Sequence, residues 1–476
     1  MTKYSVLTCN KFIYIFEYFF FAITSPIFIM SNLPLVNVQS NILKYHNRKY
    51  SRFIFICFDG NANAIKDWVS TFYENFKMTS AATDLIDYKR FIKKKPNSGR
   101  LISLLFSSKG FHKMGFKKTD DGLPKDTAFW KGMQSRKTLL NDPDKKTWET
   151  GYKKTIDAMV LVADDSAAVI ENTMTDLAKR LAKAKVGNIS FHENAAVKTN
   201  KAGHKIEQFG FRDGLSQPKL WDKGHLLQDK WNMALDNSGG GSYLVFRKLE
   251  QNVKLFNEKV KDMSKQLLLP ESYIGARVIG RYKDGVHLAD GTYPVTKIVD
   301  PKSSPEYSKD PDGMGCPFHS HARKMHAASY KTRMVRRGVT YDNRLDKSNP
   351  EPENGAGILF LSYQASIENQ FEVLQSKWAN NPDYPKKNTG IDPLIGQTNA
   401  TTAKASKQRS GYNTTKESLA LNGTVTLKGG EYFYAPGIPF LRDIKSFPRK
   451  VNYSSGYYSR GLSYGLLSSI SGRGYS

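Results

Sequence analysis

The chain has 476 residues, 39% of them hydrophobic and 12% aromatic, which is enough to bury one large core or two ordinary ones and too apolar for a disordered chain. Lys and Arg total 71 against 44 Asp and Glu, a formal charge of +27, and the charged fraction of 24% excludes a polytopic membrane protein. The basic residues fall in short groups such as Lys93 to Lys95 and Lys117 to Lys118, without an arginine-rich arm, which argues against a specific nucleic-acid partner. Cys9, Cys57 and Cys316 have no paired spacing and cannot build a disulfide framework, so a reducing, cytoplasmic setting is favoured.

In chain order, residues 10 to 30 are strongly apolar, but Glu17 sits inside the run and Pro26 interrupts a helix. A secretory leader, a membrane anchor and an extension upstream of Met30 all fit. Residues 1–29 are therefore set apart from the fold, and membrane contact or secretion is expected only through this segment.

The apolar run Arg52 to Phe58 reads as a buried strand, followed by a helix over Ala64 to Phe76 with Ile65, Trp68, Val69 and Phe72 on one face. Leu101 to Phe106 and Ala158 to Ala163 read as strands. A helix over Asp165 to Ala184 carries Ile170, Met174, Leu177 and Leu181, and Ile189 to His192 closes the set. The order β-α-β-β-α-β then returns: strand Ser242 to Phe246, helix Leu255 to Leu267, strands Met334 to Val339 and Gly357 to Tyr363, and a helical face of Ile367, Phe371, Leu374 and Trp378. Glu431 to Ala435 with Ile438 to Leu441 is the last strand. The expected fold is α+β, two ferredoxin-like halves with antiparallel sheets, over residues 30–235 and 236–476. The stretches 107–152, 268–330 and 380–418 read as loops.

Three constellations could carry chemistry. Gly210-Phe211-Arg212-Asp213-Gly214 brackets a carboxylate with glycines, so the backbone can turn tightly and present Asp213 into a cavity; a turn aspartate capping its own backbone is the plainer alternative. Cys316 to His326 holds three imidazoles and a thiol, which suggests a metal, although zinc would need a second ligand pair and Cys57 is the only other cysteine beyond residue 29. In Arg333 to Val339, strand alternation sets Arg336 opposite Arg333 and Arg337, so that one guanidinium points inward, where it needs an anion, and the others stay solvated.

Together the three resemble one family, the dye-decolorizing (DyP-type) peroxidases, in its larger eukaryote-like form. Gly210 to Gly214 resembles the family's G-x-x-D-G signature, GCPFHSHARK its haem-ligating segment and VRRGVTYD its distal-arginine strand. LFLSYQASIENQFEVLQSKWANNPDYP, GIDPLIGQ and LKGGEYFYAPGIPFLR extend the likeness over roughly residues 36 to 445.

The resemblance implies a pocket for one haem b per chain enclosed by the two halves, with His321 as the iron ligand, Asp213 as distal acid/base and Arg336 as its partner. Gly210 and Gly214 would shape the turn, and Ile358 and Phe360, alternating inward on their strand, would keep the pocket small and dry. The segment departs from the family at Ala328, where an arginine usually meets a haem propionate, so that role falls to Arg323 or to a residue not identified by sequence; Thr340 also replaces the usual proline. A carboxylate on Nδ1 of His321 is expected from Asp392 or Glu431. The implied activity is reduction of hydrogen peroxide with one-electron oxidation of bulky organic donors, dyes and phenolics. A non-catalytic haem-binding or haem-handling role is the alternative, and the oligomeric state, monomer or homo-oligomer, is left open.

Overall fold

Strand β1, Tyr50–Phe58, leads into helix α1, Ala62–Phe76, because Asn61 accepts a hydrogen bond from the Ala64 amide (2.9 Å) and caps the new helix. Ile65, Trp68, Val69, Phe72 and Phe76 then recur at three- and four-residue spacing and are buried, each contributing roughly 1.5–3 kcal/mol of apolar burial. The structure is a computed structural model describing residues 35–222, 225–227, 230–236, 240–288, 305–326, 330–397 and 421–447. The apolar segment 10–30 lies outside these residues. Among the described residues no helix is long and apolar enough to cross a membrane.

Helix α2, Ala81–Ile92, has no counterpart in the sequence reading. Its buried face is polar, with Asp84 accepting from the Asn41 amide (2.7 Å) and Asp87 pairing with Arg48 (2.6 Å), so no apolar period marks it. Strands β2, Leu101–Phe106, and β3, Ala158–Asp164, follow, then helix α3, Ala167–Ala184, which buries Thr173 where Met174 was expected. Strand β4 is longer than anticipated, Gly187–Ala196.

The second half opens with β5, Ser242–Gln251, and α4, Val253–Leu267, capped by Asn252. The expected loop after it contains a further helix, α5, Glu271–Ile279, and the stretch 107–152 likewise holds short helices at Ser108–Lys113, Thr127–Lys131, Lys137–Leu140 and Thr150–Lys153. The single strand expected over 334–339 is two, β6, Val335–Arg336, and β7, Val339–Asp342, both laid against β8, Ala356–Gln364. After β8 the chain winds through π-helical turns, Ile367–Phe371 and Val373–Ala379, into β9, Val425–Ala435. Ile438 to Leu441 is not strand but part of a helix, Ile438–Arg442, because Pro436 ends the ladder and Pro439 starts a helical turn.

Among the described residues nine strands form one sheet in the order β4-β1-β3-β2-β9-β5-β8-β6, with β7 also on β8. Each half has the ferredoxin-like order, its last strand at one end and its first beside it, and the halves join where Tyr434 of β9 pairs with Phe106 of β2. The opposite edges also meet: Thr340 Oγ1 on β7 donates to the Ala196 carbonyl on β4 (2.5 Å) and accepts from the Lys198 amide (3.2 Å). The two edges of the sheet are thereby drawn together and the sheet curls into a barrel-like form.

Aromatic rings fill the interior. Phe55 packs on Phe191 (4.4 Å between centroids) and Phe246 (5.3 Å), and Lys248 bonds Glu149 (2.7 Å) and Glu193 (2.9 Å) across the halves. Pairing of β8 with β5 sets Leu359 and Leu361 beside Lys248 and Phe246. The alternate residues Ile358, Phe360 and Ser362 therefore face the outside of the barrel, and Arg336, paired with Ser362, shares that face. Ile358, Phe360 and Arg336 thus share one face of the second half's strands.

Candidate active site

Asp213 closes a short hairpin. Ile206 pairs with Arg212, the Asp213 amide donates to the Lys205 carbonyl (3.0 Å), and the Glu207 carboxylate accepts from the amides of Phe209 and Phe211 (both 2.9 Å). Gly210 and Gly214, with φ of 92° and 81°, supply the left-handed turns at either side. Glu207 is not legible in the sequence, because a single acid ahead of the glycines carries no pattern. The Asp213 carboxylate keeps an accessible surface, yet the protein around it is dense enough that burial raises its pKa, against the Gly214 amide, Arg336 and Lys205.

Arg336 joins the same loop, its guanidinium donating to the carbonyls of Leu215 (3.0 Å) and Ser216 (3.4 Å) while its amide meets Gln217 (3.2 Å). Burial lowers its pKa and Asp213 pulls it back up, so the two groups share one field. The expected division of the arginines fails for Arg337. It is buried rather than solvated and donates to the carbonyls of Asn41 (2.8 Å) and Ile42 (2.9 Å), because the break between β6 and β7 at residues 337–338 ends strict alternation. Ile358 and Phe360 are partly open on the face they share with Arg336, whereas their neighbours Leu359 and Leu361 are fully buried.

His321 begins a four-residue helix, His321–Lys324. Its Nδ1 lies 2.9 Å from Asp392 Oδ2, and the carboxylate's other oxygen accepts from the amides of Leu394 (2.9 Å) and Ile395 (3.0 Å). Burial alone would raise the Asp392 pKa, but His321 and the two amides more than offset it, so the group stays ionised. An ionised carboxylate can only accept, so Nδ1 carries a proton, and in the neutral imidazole the lone pair falls on Nε2 of a side chain about one-third exposed (34%). Glu431, the other carboxylate considered, instead accepts from the Met133 and Tyr432 amides.

Arg323 does not have the freedom expected of a propionate anchor. Its guanidinium binds Asp310 Oδ2 (2.6 Å) and the carbonyls of Asp310 and Cys316, and it lies over the Phe318 ring (4.2 Å), holding the His321 segment together. Two of the three imidazoles of that segment diverge, His321 toward Asp392 and His326 toward the Tyr307 ring (5.1 Å), and among the described residues no three metal-ligating side chains converge.

The two loops are tied through residues 280–281. Arg281 donates to Ser216 Oγ (2.7 Å) beside the Asp213 turn, while Gly280 lies so near the His321 segment that a Cβ would sit 2.8 Å from the Ala322 Cβ. A separate recess of about 500 Å³, lined by Arg52, Lys198 and Tyr341 among others, lies at the β4–β7 seam and contains none of these site residues.

Two family models match in tandem: the DyP dimeric alpha+beta barrel domain over residues 37–199 and the Dyp-type peroxidase C-terminal domain over residues 204–389. The chain is 31% identical over 460 residues to the multifunctional dye peroxidase DyP2 of Amycolatopsis sp., covering 86% of this chain and 96% of that one. It belongs to the dye-decolorizing peroxidase family. A DyP-type peroxidase from Anabaena sp. superposes with a TM-score of 0.75 at 31% identity, over 86% of this chain and 94% of the other. The dye-decolorizing peroxidase msp1 of Mycetinis scorodonius is 27% identical over 72% of this chain and 76% of its own length. Membership makes the chain an oxidoreductase of the peroxidase type. For a DyP-type peroxidase the donor set is chemically apt: an imidazole with its proton held by a buried carboxylate and its Nε2 lone pair available suits a haem iron.

Proposed function

We propose that this peroxidase binds one haem b per chain and reduces hydrogen peroxide at the expense of bulky organic donors, dyes and phenolics among them. The observation that carries the reading is the His321–Asp392 pair, a basic imidazole fixed in one tautomer by an ionised, buried carboxylate. When bound, haem supplies the iron at which peroxide is reduced and the store of oxidising equivalents that the donors then discharge one electron at a time.

His321 Nε2 would ligate the iron, with Asp392 retaining the proton on Nδ1 and strengthening the imidazole's donation. Asp213 would accept a proton from one peroxide oxygen and return it to the other, so that water leaves; its raised pKa brings it nearer the range where one group can do both. Arg336, fixed to the loop that carries Asp213, would stabilise negative charge on the departing oxygen. Ile358 and Phe360 would line the small distal space and keep water out. On this reading the half spanning 30–235 contributes Asp213, and the half spanning 236–476 contributes Arg336 and His321.

The test is peroxide-dependent oxidation of an anthraquinone dye by the haem-loaded chain. Turnover is expected in the natural protein and a loss of about 100-fold or more in Asp213→Asn and in Arg336→Ala, with haem retained in both. Haem binding with no peroxide-dependent oxidation would instead support the haem-handling alternative.

A further inference from the structure

The hairpin that presents Asp213 also sets a lysine beside it. Pairing of Ile206 with Arg212 and the bond from the Asp213 amide to the Lys205 carbonyl (3.0 Å) make residues 205 and 213 direct cross-strand neighbours. Such neighbours project from the same face, with Cβ atoms about 4.5–5.5 Å apart. The Lys205 ammonium does not extend into solvent. It lies 3.5 Å from the centre of the Tyr45 ring, which itself stacks on the buried His46 (5.0 Å) in the segment leading to β1. Tyr45 feels Asp213 directly, since the carboxylate helps burial raise its phenol pKa. Two cations thus act on Asp213: Arg336, bonded to the residues that follow it, and Lys205, its cross-strand neighbour.

We propose that Lys205 is a positioning residue for Asp213: held over the Tyr45 ring, its ammonium is the second cation, with Arg336, that keeps the Asp213 carboxylate charged. The inference rests on Asp213 being the proton carrier proposed above. The ring contact explains why the lysine does not close onto the carboxylate and block it. The ammonium spends its short-range attraction on the π face and acts on Asp213 through the intervening field, while the carboxylate keeps the Gly214 amide (2.6 Å).

The other groups facing this pair are Arg336 and Arg337 from the strand region, Tyr45 and His46 from the segment before β1, and Glu207 on the hairpin. Burial pushes His46 well below neutrality and lowers Arg337 only to about 10, whereas it brings Lys205 down to about 8. The lysine's charge is therefore present through neutral pH and is lost above it.

The test measures the protonation of Asp213 itself, through the infrared carbonyl band of its protonated carboxyl in the haem-loaded full chain, isolated by subtraction of Asp213→Asn. In Lys205→Met the midpoint should rise by about half a pH unit or more, and the acid limb of peroxide turnover should move with it, about threefold in rate at a pH below the midpoint. Lys205→Arg should restore the natural midpoint, and Lys205→Gln serves if the methionine variant does not fold. A midpoint that stays fixed when the charge is removed overturns the proposal. Failure of the underlying reading is distinct: Asp213→Asn would then turn over peroxide normally, whatever the infrared titration of the lysine variants shows.

Discussion

Asp392 Oδ2 lies 2.9 Å from His321 Nδ1, and the Asp392 side chain exposes none of its surface. The carboxylate is locked from behind by the amides of Leu394 and Ile395, so it cannot turn away from the imidazole. In Asp392→Asn the amide can keep one acceptor contact but not the negative charge. Peroxide turnover should fall about 10–100-fold. The haem reduction potential, followed by spectroelectrochemical titration, should move in the positive direction. An unchanged potential would show that Asp392 does not act on the iron through His321.

Asp213 should reveal its cost to the fold. A carboxyl whose pKa is higher in the folded state than in the unfolded chain binds its proton more tightly when folded, so it destabilises the protein above that raised pKa and ceases to do so as the pH falls through it. Asp213→Asn should therefore raise the unfolding temperature at pH 7, with the gain shrinking toward pH 4, while abolishing turnover. Calorimetric scans at the two pH values measure this. A loss of stability at neutral pH would contradict the burial argument. The same raised pKa places the acid limb of activity above the ordinary aspartate range.

Arg336 differs from a lysine in the work its fork performs. It holds the carbonyls of Leu215 and Ser216 as well as supplying charge, so Arg336→Lys should keep the cation and lose the loop's anchorage. Steady-state dye oxidation should show Arg336→Lys well below the natural chain and above Arg336→Ala, which should lose roughly 100–1,000-fold. Equal activity of Lys and Arg at this position would mean that charge alone is needed.

Arg323 predicts a different pattern. Its pair with Asp310 is nearly buried, with 6% and 11% of the side chains exposed, and breaking it should cost about 3–5 kcal/mol. Arg323→Ala should lower the unfolding temperature of the chain before haem is added, as well as weakening haem retention. Weakened haem retention with natural stability would restore the propionate role to this arginine.

The elements that sequence could reveal were those whose burial follows a period. Strand β1 and helices α1 and α3 bury apolar residues on one face or throughout, so their order and the ferredoxin-like repeat were legible. Helix α2 was not, because it buries aspartates against Asn41 and Arg48 and writes no hydrophobic stripe. Asp213 and Arg336 stood out through glycine spacing and a charged strand, whereas His321 was one of three imidazoles in its cluster and was singled out only by the family resemblance. Their supporting groups did not: Lys205 and Tyr45 are far apart in sequence, and the choice of Asp392 over Glu431 depends on where a loop from residue 391 onward folds back. Arg337 was misjudged because alternation holds only while a strand continues, and this one breaks after Arg336.

Ligation of the haem iron by His321 is read from the absorption spectrum of the loaded chain. The full chain loaded with haem b should show a Soret band that is lost or displaced in His321→Gly and restored by added imidazole. A His321→Gly variant that retains the natural spectrum without imidazole would show that another group holds the iron.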